Sequence, residues 1–191
     1  MILNQAKLSG YARRAYDTAV RYGWHEKRMS DISYIGLVMT EVCEAINADR
    51  ENKHAPEFPD FVVGLAGSPL VPAEHKQNFY DWLHDNVKPT VEAELADVVI
   101  RLLDYAYLVW GDNLNWKDGK QETIPSSTWT FLENGTYLIK HVIGTDENSV
   151  IDAVQYMYEW ADILGIDLDQ FIEAKMTYND LRSYRHGGKA Y

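Results

Sequence analysis

The chain has 191 residues, 46% of them hydrophobic and 13% aromatic, which suits one domain with a sizeable core and excludes disorder over most of its length. Its 29 acidic against 18 basic residues leave a net charge of -11, which excludes nucleic acid or an anionic membrane surface as a natural partner and means that an anionic small molecule needs a metal ion or a local basic cluster. A single cysteine, a start (MILNQAK) with no leader-like basic or apolar region, and no apolar run near the ~20 residues of a membrane span predict a reduced, cytoplasmic setting.

From Asn4 to Tyr22, Leu8, Tyr11, Ala12, Ala15, Tyr16 and Ala19 recur at helical spacing, and Gly23 is placed to end that helix. Trp24 and His25 follow it; they either stack on and hydrogen-bond a nucleobase or fill a corner of the core. Ser30 or Asp31 caps a second helix running to about Asn52. Within it the stretch YIGLVMTEVCEAI, from Tyr34 to Ile46, is apolar nearly all round apart from Thr40, Glu41 and Glu44. Such a helix is buried, and a carboxylate buried there costs several kcal/mol unless a cation or donors meet it. Cys43 lies on another side of the helix from the two acids, and buried packing rather than nucleophilic catalysis is its expected role.

Pro56, Pro59, Gly64, Gly67, Pro69 and Pro72 break the chain into a long irregular connection, which a helical segment from Ala73 to Asn86 follows. Thr90, after Pro89, is the N-cap of a helix ending near Trp110. This helix contains ELADVVIRLLDYA, in which Glu94, Asp97, Arg101 and Asp104 fall within about 80° of arc and apolar side chains fill most of the rest. Arg101 is expected to pair with a nearby acid, and Asp104 with Arg101 or a lysine. Two further helices are predicted around 128–142 and 148–164. Asp167, with Gln170 three residues on, has the pattern of a capping box opening a last helix to about Leu181. On that helix Lys175, Asn179 and Arg182 lie within about 60° of arc and turn an apolar stripe basic. A basic, glycine-containing tail at 183–191 carries Arg185, His186 and Lys189. These cations suit phosphate oxygens, Arg through a planar fork and Lys as a point charge, or they complement the helix dipole. No alternating strand pattern occurs, so the expected fold is all-α: one domain over 1–191, a helical bundle of about five to seven helices.

Glu41 and Glu44 repeat the i, i+3 spacing of Glu94 and Asp97. On facing antiparallel helices the two pairs would gather four carboxylates into a site suited to hard divalent cations, Mg²⁺ above all. The competing reading is two polar stripes bonded to Arg or Lys. Sequence spacing leaves both open.

T-E-V-C-E at 40–44, E-L-A-D at 94–97 and K-M-T-Y-N-D-L-R ending at Arg182, with the H-G-G of the tail, together resemble the MazG-like superfamily of all-α nucleoside triphosphate pyrophosphohydrolases, which includes dimeric dUTPases and dCTPase-type enzymes. The resemblance implies that Glu41, Glu44, Glu94 and Asp97 hold Mg²⁺, with Mn²⁺ as a substitute. It also implies that Lys175, Asn179 and Arg182 help bind the nucleotide. The chain departs from the pattern where Thr40 stands in place of a common Glu, and where the connection from about Lys53 to Thr90 exceeds the compact members' need. The implied activity is hydrolysis of a nucleoside triphosphate to monophosphate and pyrophosphate, a house-cleaning reaction on non-standard or surplus nucleotides. Rival readings are a nucleotide sensor or regulatory protein without turnover, and a purely structural helical module. The apolar helices around Glu41 and Glu94, with VQYMYEW at 154–160, carry more apolar surface than four or five short neighbours in one chain are expected to cover. The resemblance points the same way, to a homodimer or homotetramer that completes the core.

Overall fold

The computed structural model describes residues 4–66, 68, 71–116 and 124–184. Among these there are eight α-helices and no strand: α1 (Gln5–Arg21), α2 (Asp31–Arg50), α3 (Asp60–Val63), α4 (Ala73–Asn86), α5 (Val91–Trp110), α6 (Phe131–Tyr137), α7 (Glu147–Leu164) and α8 (Leu168–Asp180). The architecture is all-α. Helix ends follow local chemistry. Asn4, Thr90, Thr130, Asp146 and Asp167 each accept a backbone N–H of the first turn on their side chains, which satisfies donors that a helix start leaves unpaired. At 130–133 the arrangement is a reciprocal capping box; at Asp167 the cap bonds the backbone of Gln170, at 3.2 Å. Gly165 ends α7 in the left-handed region at φ 72°, where a β-carbon would be strained.

Helix α5 is the axis of the bundle. It lies against α1, α2, α7 and α8, and Leu95, Val98, Val99, Leu102 and Leu103 are fully enclosed. This arrangement explains its continuous apolar character, since a helix surrounded by helices has no solvated face. It also corrects the expectation that one chain leaves these surfaces uncovered: α5 and the aromatic stretch at 154–160, including Tyr156, Met157 and Trp160, are buried within the single chain.

Three other expectations change. The connection after α2 holds one extra helix, the single turn α3, so eight replace the predicted five to seven. The predicted helix at 128–142 divides into α6 and a π-helical turn, Leu138–Val142. Cys43 is exposed, not buried packing. Among the described residues no helix is long and apolar enough to cross a membrane.

Candidate metal centre

Three carboxylates meet where α2 crosses α5. Glu41 comes from the middle of α2, while Glu94 and Asp97 come from one turn of the first half of α5. One oxygen from each lies within 4.8 Å of the others. Glu41 and Glu94 are buried and Asp97 is half-buried. Glu44, one turn after Glu41, is exposed and stands outside this triplet, although its charge acts on both Glu41 and Glu94. Of the four predicted acids the structure therefore brings three together and leaves the fourth at the rim. Thr40 faces outward and donates its hydroxyl back to the Leu37 carbonyl at 2.6 Å, so it makes no contact with the triplet.

Two cations from inside the chain meet these acids. The Lys175 ammonium, brought by α8 and itself buried, is 2.6 Å from Asp97 Oδ2. Arg101, one turn beyond Asp97 on α5, donates from Nε to Glu41 Oε1. Glu94 has no such partner among the described residues. Burial, then the neighbouring Asp97 charge, pushes its carboxyl up to about 8, with Lys175 only partly offsetting the rise. The Glu41 carboxyl is raised for the same two reasons, in the same order, and Arg101 pulls it back. Burial and mutual repulsion thus raise both Glu41 and Glu94, and of the two it is Glu94 that has no cation of its own among the described residues. All-oxygen donors of this kind fit a hard divalent cation, and nothing in the set selects a soft metal.

The basic residues of α8 continue from this point. Lys175 Nζ is 5.8 Å and the Arg182 guanidinium 5.7 Å from the centre of the Tyr178 ring. That ring stacks on Tyr80 of α4 with centroids 4.8 Å apart and planes 14° apart. Asn179 is half-buried beside them on the same helix. The end of α8 is fastened to α1: Asp180 accepts from Arg14 at 3.0 Å, Thr18 at 2.8 Å and Arg21 at 3.1 Å, and the Tyr22 hydroxyl donates to the Asp180 carbonyl at 2.6 Å. Arg185, with the rest of the tail, lies outside the described residues.

At the far end of the α5 stripe, Asp104 does not pair with Arg101 or a lysine as expected. His25 Nε2 lies 2.7 Å from its Oδ1. The other ring nitrogen is 3.4 Å from the Tyr34 hydroxyl, and the ring stacks on Tyr16 at 5.2 Å. Both polar edges of His25 are thus engaged inside the α1–α2–α5 seam, and burial raises the Asp104 carboxyl while His25 holds it down. Trp24 is half-buried next to it.

Sequence reasoning missed the Lys175–Asp97 pair and the Tyr80–Tyr178 stack. A lysine on a helix whose other neighbours are buried was the available signal for the first; nothing local announces the second. Compared with known protein families, with curated proteins and with solved structures, the chain has no significant match.

Proposed function

We propose that the chain is a Mg²⁺-dependent nucleoside triphosphate pyrophosphohydrolase, releasing a nucleoside monophosphate and pyrophosphate. The observation that carries this reading is the convergence of Glu41, Glu94 and Asp97 within 4.8 Å in an otherwise apolar bundle, with Lys175 on the adjoining helix α8 and Arg182 just past its end. Glu41, Glu94 and Asp97, with Glu44 at the rim, would hold Mg²⁺ or Mn²⁺. A divalent cation bound there neutralises charge on the phosphates and makes a water more acidic. The chain's own groups supply the rest. Lys175 and Arg182 donate to phosphate oxygens, and Asn179 offers an amide beside them. The carboxylates orient and deprotonate the attacking water as the anhydride between the α and β phosphates breaks. The same reading makes the active assembly a homodimer or homotetramer.

A panel of nucleoside triphosphates with and without Mg²⁺, followed by pyrophosphate release, tests this directly. Release that requires the metal is the expected result. Thermal stabilisation by nucleotide without release would favour a sensor of the same fold. Neither effect would favour a structural module, a reading that draws on Arg101 and Lys175 already matching two of the three acids.

A further inference from the structure

Lys175 has two incompatible roles in the foregoing account. Its ammonium is bound to Asp97 at 2.6 Å with only 4% of the residue exposed, yet the proposed function also asks it to donate to phosphate oxygens. A lysine donates but never accepts, and an ammonium in contact with Asp97 occupies positive-charge space that a divalent cation on the same carboxylate needs. The flexible four-carbon stem lets the head move without the helix moving. The Tyr178 ring, 5.8 Å from Nζ and held by its stack on Tyr80, offers the displaced ammonium an aromatic face on the way toward Arg182.

We propose that Lys175 is an exchangeable internal counter-ion: it fills the positive position on Asp97 when no divalent cation is bound, and metal entry drives it off Asp97 to receive the triphosphate. The exchange rests on the metal-centre reading above. It couples the two ligands, because the cation that leaves one site becomes a donor in the other. By linkage, nucleotide that engages Lys175 must tighten metal binding by the same factor as metal tightens nucleotide binding.

Calorimetric titration of the full chain with Mn²⁺ tests the competition. Lys175→Met keeps the stem and removes the charge, and it should bind Mn²⁺ at least about fivefold more tightly than wild type. Arg182→Met, which removes a nearby charge that is not on an acid, should give a clearly smaller gain. Equal or weaker binding by Lys175→Met, or an equal gain in Arg182→Met, overturns the proposal. If neither wild type nor Lys175→Met binds Mn²⁺, the metal centre itself fails and the exchange with it; wild-type binding without a gain in Lys175→Met sinks the exchange alone. Should Lys175→Met fold poorly, the wild-type chain still decides the matter. The Lys175 ammonium, assigned through its own side-chain carbons, should give a slowly exchanging proton–nitrogen signal that disappears or moves when Mg²⁺ is added. A signal unchanged at saturating Mg²⁺ overturns the proposal.

Discussion

At the scale of single residues, the three acids of the candidate centre are chemically unequal, and their substitutions should separate. Glu94 is buried, has no cation of its own among the described residues and keeps its proton up to about 8, against 4.5 for an ordinary glutamate. Between those values the folded chain holds a proton that the unfolded chain has released, so stability falls as pH rises through that window. Glu94→Gln should therefore flatten the decline in melting temperature between pH 5 and 8 in metal-free buffer, while eliminating metal-dependent turnover; a profile as steep as wild type would contradict the assignment. Divalent binding to wild type should tighten over the same window, since it must expel that proton. At Asp97 the loss falls on its partner. Asp97→Asn strands the buried Lys175 ammonium, and breaking a buried pair from one side costs on the order of 3 kcal/mol. A loss of roughly 6–12 °C in melting temperature is expected for a chain of this size, and Lys175→Met in the same background should recover part of it. A double variant no more stable than Asp97→Asn would count against the stranded-charge explanation.

Among the helices, α8 is the element whose placement decides the basic side of the site, and it is held at both ends by α1. Lys7 reaches Asp169 at 2.8 Å near its start, the Tyr11 hydroxyl donates to Glu173 at 2.7 Å, and Asp180 collects Arg14, Thr18 and Arg21 near its end. Asp180→Ala removes three donors' partner at once and should lower stability by about 1–3 kcal/mol, measured as a shift in the guanidinium chloride midpoint. Because the Asp180 side chain bonds to α1 and acts on the phosphate donors only by placing the end of α8, its loss should raise KM for nucleotide more than it lowers kcat. A fall in kcat alone would show that α8 is not positioned this way. The same helices show what the sequence discloses. The start of α5 at Thr90 and of α8 at Asp167 could be read because a cap is a local event, confined to one turn. The conflict between apolar helices and their few acids marked Glu41, Glu44, Glu94 and Asp97, since burial of charge demands compensation wherever the chain goes; of these Glu44 is exposed. Of the compensating groups, Arg101 was expected to meet a nearby acid and meets Glu41, whereas the partner of Lys175 was illegible. Periodicity tells which face of α8 Lys175 occupies, but only the packing angle of α8 on α5 selects Asp97 as its partner. Asp104 finding His25 instead of Arg101 has the same cause. The single turn α3 lies between prolines and is too short for a periodic signal, and the π-helical turn after α6 keeps a helical apolar pattern while widening the backbone.

The molecule as a whole covers the apolar faces of α5 more fully than those of α2. Tyr34, Ile35, Val38, Val42, Ala45 and Ala48 of α2 face the bundle, and Glu41 turns with them toward the site. To one side of that face Ile32, Gly36, Met39 and Cys43 fall within about 60° of arc, Met39 packing partly against the core. Ile32 is 69% exposed, Cys43 is exposed, and Gly36 and Met39 are half-buried. We propose this partly exposed stripe as the surface for self-association, in place of the α5 and 154–160 surfaces that the bundle already covers. A two-fold axis through it would pair α2 with its copy, bury the stripe on both chains together and bring the exposed Glu44, on the flank of the same helix, toward the boundary. Light scattering at micromolar concentration should then give twice the 22.0 kDa of one chain. Ile32→Glu, which places a charge on the most exposed apolar residue of the stripe, should return the chain to a monomer with its helical content intact. A wild-type mass of 22.0 kDa would rule out the dimer, and an Ile32→Glu chain that stays dimeric would place the interface elsewhere on the surface.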